Sequence, residues 1–121
     1  MDTKNDYVMY IFINNDLQMG KGKIASQVGH VVQKIIEDIY DNQTLNKKKV
    51  DIFNRYKNWK NGSKKIILKA THKELLDLQQ ESESISIYDA GHTQIAPNSL
   101  TCVGFYPSNH NQEKFKKFKL L

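Results

Sequence analysis

The chain has 121 residues, which is long enough for one domain with a single hydrophobic core. Apolar residues make up 39% of it, and no apolar run approaches the roughly 18 residues of a membrane helix, so the composition excludes a membrane-spanning helix. The net charge of +5 favours a polyanionic partner, although a generally lysine-rich surface explains the same excess. Arg55 is the only arginine among 18 basic residues, which favours phosphate contacts over base recognition.

Cysteine content and the first residues indicate where the protein works. Cys102 is the only cysteine, so an intrachain disulfide and a cysteine-based zinc site are both excluded. The sequence MDTKNDY at the start carries acidic residues and no apolar segment of the kind found in secretory signals. We therefore expect a cytoplasmic protein.

The first half of the chain predicts one strand and two helices. Residues 7–13 (YVMYIFI) form a continuous apolar run, which is typical of a strand covered on both faces. Apolar residues then recur at helical spacing and predict a long helix over residues 22–40: Ile24, Val28, Val31, Val32, Ile35 and Ile39. A second amphipathic helix ends at Asn61-Gly62, and its expected inward side chains are Val50, Phe53, Tyr56 and Trp59.

The second half alternates between strands and helices. Residues 65–70 (KIILKA) predict a second buried strand, and Thr71 with Glu74 forms a capping box that opens a helix. Short strands are expected over residues 85–88 and 100–105, followed by a basic amphipathic helix over residues 109–118. The order β-α-α-β-α-β-β-α predicts one α/β domain over residues 1–121, a three-layer α/β/α sandwich on a mixed sheet. Its functional site is expected at the carboxyl ends of the strands.

Residues 19–30 (MGKGKIASQVGH) place glycines and lysines between the first strand and the first helix. A phosphate-binding P-loop is excluded, because Leu17 stands where that motif needs glycine and Ile24 follows Lys23. The dinucleotide-binding pattern G-x-G-x-x-[GA] is formally met, but residues 15–20 separate the strand from the helix, whereas that motif holds its glycines against the strand. This match is therefore weak.

Four polar residues of the first helix share one stripe, at spacings i, i+4, i+7 and i+11: Lys23, Gln27, His30 and Lys34. The stripe lies beside the apolar face, so we expect these side chains at the edge of the core, next to the sheet. Solvated border positions of an amphipathic helix explain the same pattern without any function. The helix N-terminus at Gly22 and Lys23 adds a positive dipole that favours an anion.

A second polar segment, residues 88–101 (YDAGHTQIAPNSLT), follows the third predicted strand. Asp89 is expected at the carboxyl end of that strand, and His92, Thr93 and Gln94 follow on a turn. Thr101 lies in the last strand, where alternation predicts that its side chain points away from Leu100 and Cys102. An ordinary Asp-Gly turn with a capping threonine is the alternative reading.

Three segments together resemble the type-2 peptidyl-tRNA hydrolases, the archaeal and eukaryotic kind. They are M-G-K-G-K-I-A-x-Q-x-x-H at residues 19–30, D-A-G-x-T-Q-I-A-P at residues 89–97 and K-L-L at residues 119–121, and the resemblance spans residues 7–121. It implies hydrolysis of the ester between a peptide, or another N-blocked aminoacyl group, and the 3′-terminal ribose of tRNA, with no metal or organic cofactor. It also implies recycling of tRNA from stalled translation, a four-stranded mixed sheet, a homodimer, and neither DNA nor a membrane as partner.

The resemblance also implies a set of site residues. Lys23, Asp89 and Thr93 are carried over as catalytic, and the substrate-binding residues are Lys21, Gln27, His30, Gln94 and Thr101. Ester hydrolysis needs a positioned water and a donor for the developing oxyanion. Asp89 suits the first role with Thr93 beside it, and Lys23 suits the second, or else it neutralises the leaving ribose or a phosphate. A Lys23–Asp89 ion pair would keep the carboxyl group ionised.

Other kinds of site find less support. Ser26 and Ser99 lack the G-x-S-x-G elbow of serine hydrolases, and Cys102 is expected to be a small core residue. The four histidines show no H-x-x-x-H spacing, so no metal site is expected. The remaining alternative is a non-catalytic module on the same fold that binds RNA or a protein. Such a module has no need for the set formed by Lys23, Asp89 and Thr93.

Overall fold

The computed structural model describes residues 6–42, 47–90 and 95–121. These ranges contain four strands and four α-helices in the predicted order: β1 (Met9–Asn14), α1 (Lys21–Asn42), α2 (Lys47–Trp59), β2 (Lys65–Ala70), α3 (His72–Leu78), β3 (Ser84–Tyr88), β4 (Leu100–Phe105) and α4 (Gln112–Phe115). A single 3-10 turn, Asn15–Leu17, follows β1. No helix in these ranges is long and apolar enough to cross a membrane.

The strands form one mixed sheet in the order β2-β1-β4-β3. Strand β1 is parallel to β2 and antiparallel to β4, and β4 is antiparallel to β3. The carboxyl ends of β1, β2 and β3 therefore lie at one edge of the sheet, together with the amino end of β4. We call this the carboxyl edge; it is marked by Asn14, Ala70, Tyr88 and Leu100.

Both faces of the sheet are covered, which confirms the three-layer α/β fold. Strand β1 sends alternate side chains to opposite faces, as a strand of period two must. Met9, Ile11 and Ile13 pack under α1 and α2, in one cluster with Val31, Ile35 and Ile39. Val8, Tyr10 and Phe12 pack on the other face, with Leu75, Leu78 and Phe115. The apolar run of residues 7–13 follows from this double burial.

Helix α1 lies close to β4 because Gly104 has no side chain. A Cβ atom at Gly104 would lie 2.7 Å from Cγ2 of Val31 and 3.0 Å from Cδ1 of Ile35. Val31 and Ile35 are fully buried and cannot move aside. The glycine therefore sets the spacing between α1 and the sheet.

The prediction for the inward face of α2 was wrong at Val50, whose exposed fraction is 43%. The buried row consists of Ile52, Tyr56 and Trp59, which are spaced i, i+4 and i+7. Arg55 is buried beside this row and donates from Nη2 to Glu83 at 3.0 Å. Because Arg55 lies on the buried side of α2, the pattern of apolar residues alone did not identify the buried face of this helix.

Two further expectations changed near the C-terminus. Strand β2 is at the end of the sheet and is half exposed rather than buried, although the predicted capping box of Thr71 and Glu74 after it is confirmed. The helix expected over residues 109–118 is one turn, Gln112–Phe115. The chain turns there because Phe115 and Phe118 both pack on Phe12, with ring centroids 4.9 and 4.8 Å from it.

Candidate active site

The sheet topology brings Lys23 and Asp89 together at the carboxyl edge. Lys23 lies in the first turn of α1, and Asp89 directly follows β3. Lys23 Nζ donates to Asp89 Oδ1 in an ion pair. The side chain of Asp89 is 3% exposed and that of Lys23 is 17% exposed, so the carboxylate is buried while its partner still reaches solvent.

Asp89 is held by its backbone as well as by Lys23. Its N–H donates to the carbonyl oxygen of Ser99 at 2.8 Å, and its own carbonyl accepts from the N–H of Asn98 at 2.9 Å. Asn98 has a φ of 64°, in the left-handed region that asparagine tolerates in turns. These contacts close the segment between β3 and β4 at its base and fix the position of the carboxylate.

Gln27 and Thr101 form a second buried polar contact, one helical turn beyond Lys23. The Thr101 hydroxyl is fully buried and lies 2.6 Å from Gln27 Oε1 and 3.1 Å from the carbonyl oxygen of Ile87. Since a hydroxyl has one hydrogen, it donates to one of the two at a time. The contact joins α1 to the two strands that flank Asp89.

The expected orientation of Thr101 was half wrong. Ile87 pairs with Cys102, and the next residue of β3, Tyr88, pairs with Leu100. Thr101 is therefore an extra residue in β4, inserted between two consecutive pairs of the ladder. A β-bulge of this kind breaks the alternation of side chains. Thr101 points away from Leu100 as predicted, but it shares the α1 face with Cys102, whose thiol lies 3.6 Å from the Gln27 carbonyl oxygen.

Other predicted site residues are not brought into this contact. Lys21 and His30 are exposed, and so is Lys34, although we expected the stripe to lie at the edge of the core. The buried row of α1 is Gln27, Val31, Ile35 and Ile39. Successive i+4 positions rotate by about 40° around a helix, so this row turns away from the stripe. Thr93, Gln94 and His92 lie outside the residues that the structure describes.

A cavity of about 620 Å³ opens beside the ion pair. Its lining combines apolar and polar side chains: Leu17, Met19, Ile95, Gln18, Lys23 and Ser26. The volume falls within the range of cavities that hold small organic molecules. Lys23 therefore connects a buried carboxylate to a space that can hold the end of a substrate.

The chain matches the family described as Peptidyl-tRNA hydrolase PTH2 over residues 7–121. It belongs to this family. Relatives that carry the name peptidyl-tRNA hydrolase include three archaeal proteins. The one from Methanocaldococcus jannaschii is 39% identical over 90% of this chain and 91% of its own length. The relative from Saccharolobus solfataricus is 33% identical over 85% of this chain and 88% of its own length. The relative from Thermoplasma acidophilum is 32% identical over 93% of this chain and 97% of its own length.

In this member of the Peptidyl-tRNA hydrolase PTH2 family, Asn14 is a buried polar residue near the candidate site that sequence reasoning missed. Asn14 is 2% exposed and ends β1 at the carboxyl edge. Its Nδ2 donates to the carbonyl oxygen of Leu100 at 2.8 Å, and its Oδ1 accepts from the N–H of Asp16 at 3.0 Å. It thereby fixes the residue before Thr101. The sequence does carry a signal for it, because an asparagine ends the otherwise apolar strand β1.

The structure gives no support to a cysteine nucleophile or a metal centre. Burial raises the pKa of the Cys102 thiol to about 12, so the group is protonated and unreactive at neutral pH. Within residues 6–42, 47–90 and 95–121, no group of three or more His, Cys, Asp and Glu side chains could hold a metal ion.

Proposed function

We propose that this chain hydrolyses the ester bond between a peptide and the 3′-terminal ribose of tRNA, releasing free tRNA and the peptide. The ion pair between the buried Asp89 and Lys23, which lines the 620 Å³ cavity, carries this proposal, in a chain of the PTH2 family. Burying a carboxylate costs free energy unless it is paired. A module that only held RNA on its surface would gain nothing from that cost, so the non-catalytic alternative is not favoured.

The reaction divides between the two members of the pair. Water attacks the ester carbonyl carbon, and the Asp89 carboxylate orients the water and accepts its proton. The Lys23 ammonium, helped by the N-terminal dipole of α1, stabilises the negative charge that develops on the carbonyl oxygen. When the tetrahedral intermediate collapses, the carbon–oxygen bond to the ribose breaks, and the proton on Asp89 passes to the ribose oxygen.

The remaining site residues have supporting roles in this proposal. Thr93 holds the attacking water or the carboxylate, and Gln94 contacts the substrate beside it. Lys21, at the amino end of α1, and His30, near the middle of the helix, are both exposed, and in this proposal they contact the RNA. Gln27 and Thr101 position the helix, as their buried contact at 2.6 Å supports.

We also extend the proposal to the setting of the enzyme. The chain acts as one domain over residues 1–121, forms a homodimer, and works in the cytoplasm, where it binds tRNA and recycles it from stalled ribosomes. The net charge of +5 supports binding through phosphates. Light scattering tests the dimer, which requires twice the mass of 14.1 kDa for the chain.

One assay tests the hydrolase activity directly. Purified peptidyl-tRNA is incubated with the protein, and release of the peptide from the ribose is followed. Wild-type protein is expected to release it at many times the spontaneous rate, whereas Asp89→Asn protein is expected to bind tRNA normally and to release almost no peptide. Tight tRNA binding by the wild type without ester release would instead support a binding module.

A further inference from the structure

A cluster of three lysines lies at the carboxyl edge, beside β2. The last residues of the chain lie along the free side of β2. Leu120 pairs with Leu68 in an antiparallel bridge. Lys69 N–H donates to the Lys119 carbonyl at 2.9 Å, and Leu121 N–H donates to the Ile67 carbonyl at 3.1 Å.

This register sets Lys69 opposite Lys119. Directly opposed residues of antiparallel strands point their side chains to the same face, about 5 Å apart at Cβ, and two like charges so placed destabilise the pairing. Lys69, Lys117 and Lys119 all line one cavity, whose volume is about 280 Å³. We call Lys69, Lys117 and Lys119 the tail lysine cluster.

These three lysines differ from their neighbours in their ion pairing. Lys114 pairs with Glu81, and Lys116 pairs with Glu113 at 3.4 Å. Among the residues that the structure describes, no carboxylate forms an ion pair with a member of the tail lysine cluster. Glu74 also lines the cavity and keeps its negative charge while it accepts from the Thr71 N–H at 2.9 Å in the capping box. The cavity therefore has three lysines against one carboxylate, which is an excess of positive charge.

The tail lysine cluster lies next to the candidate active site. Asn15 lines the cavity of the cluster, and Leu17 lines the cavity of the ion pair. The two cavities thus flank one 3-10 turn of three residues, Asn15–Leu17. Such a turn is only about 6 Å long, and nucleotides of one strand advance by about 3.4 Å each. A strand with its end beside Lys23 reaches the cluster within a few nucleotides.

We propose that the tail lysine cluster binds backbone phosphates of the tRNA, a few nucleotides from the ester that is hydrolysed. This inference rests on the proposed function, because the anion is the RNA strand of the same substrate. An RNA backbone fits the arrangement because its phosphates recur at short intervals, and lysine contacts them as a point charge without reading the bases. Bound phosphates also relieve the repulsion between Lys69 and Lys119.

The test compares two triple variants that lose the same charge. One carries Lys69→Gln, Lys117→Gln and Lys119→Gln. The control carries Lys57→Gln, Lys60→Gln and Lys116→Gln, which are exposed positions outside both cavities. Each enzyme is assayed on intact peptidyl-tRNA and on the same aminoacyl ester of adenosine alone, which has no backbone phosphate. The ratio of kcat/KM between these two substrates isolates contacts made beyond the terminal nucleoside.

The cluster variant is expected to lower that ratio by roughly tenfold, since each exposed charge contact contributes about a factor of two to three. For this variant the slope of log KM against log salt concentration should be smaller by about 2 to 3, because three phosphate contacts are lost. The control variant should show neither change beyond about twofold. Equal losses in both variants, or an unchanged ratio in the cluster variant, would overturn the proposal.

Two further measurements keep the result decisive. If the triple variant does not fold, Lys117→Gln alone leaves the pairing of the tail with β2 intact and should reduce the salt slope by about 0.7 to 0.9. Titration with deacylated tRNA tests the cluster without any hydrolysis. Weaker binding by the cluster variant supports this inference even if the wild type releases no peptide, in which case only the proposed function fails.

Discussion

Replacing Asp89 or Lys23 tests whether the two residues act as one unit. Asp89→Asn keeps the shape of the side chain and removes its charge, and Lys23→Met keeps the aliphatic chain and removes the ammonium. Each is expected to lower kcat by about 10²- to 10⁴-fold, the range for a lost acid–base group, which corresponds to roughly 3 to 5 kcal/mol of activation free energy. Because both serve one step, the double variant should match the worse single variant within about tenfold.

Stability must be measured beside the kinetics. Lys23→Met removes the ammonium group from beside a carboxylate that is 3% exposed. Removing one member of a buried ion pair lowers the free energy of unfolding by about 3 to 5 kcal/mol. We expect the lower value, about 3 kcal/mol, because the side chain of Lys23 is 17% exposed. For 121 residues, 1 kcal/mol shifts the Tm by about 4 °C, so a fall of about 12 °C is expected. Assays therefore run well below that reduced Tm.

Lys34→Met is the matched control, since Lys34 lies on the same stripe of α1 and is exposed. It should keep kcat within about twofold, as surface substitutions away from a site usually do. Near-normal turnover by a folded Asp89→Asn protein would refute the role of the carboxylate. A double variant as impaired as the product of the two single effects would refute the shared step.

Three further predictions concern packing, positioning and cofactor use. Thr101→Val leaves Gln27 Oε1 buried without its donor at 2.6 Å and should cost about 1 to 3 kcal/mol by urea unfolding, whereas Thr101→Ser should keep most of the stability. Gly104→Ala should destabilise by about 1 to 3 kcal/mol because its Cβ would lie 2.7 Å from Val31 Cγ2, whereas Gly29→Ala, in open space on α1, should stabilise by about 0.5 to 1 kcal/mol. Prolonged EDTA treatment should leave ester hydrolysis unchanged, and activity restored by zinc or magnesium after such treatment would contradict the proposed mechanism.

The regular parts of the fold were predictable because they follow from burial. Strand β1 is apolar along its whole length since helices cover both its faces, and the bounds of β4 (Leu100–Phe105) were predicted as observed. The failures arise where another interaction replaces apolar burial. Arg55 occupies the inner side of α2 through its ion pair with Glu83, and α4 ends after one turn, where Phe115 and Phe118 both pack on Phe12.

The site was predictable in part for a similar reason. The strand order brings Lys23 and Asp89 to one edge, and the family resemblance singled out both residues. The orientation of Thr101 was not predictable, because the bulge between β3 and β4 follows from register and leaves no mark in composition. Nor was the role of Asn14, whose partner Leu100 lies 86 residues away along the chain.

Buried polar contacts explain how two residues 66 positions apart in the chain are held in one relative position. The hydrophobic effect alone does not select one position of a helix along a sheet, because it is not directional. A shift of α1 would separate Gln27 Oε1 from the Thr101 hydroxyl and leave a buried acceptor unpaired, at a cost of about 1 to 3 kcal/mol. That penalty selects one position of the helix. Lys23 lies one turn before Gln27, so the same penalty fixes the ammonium relative to Asp89, where a displacement of about 1 Å can lower a reaction rate by roughly 100-fold.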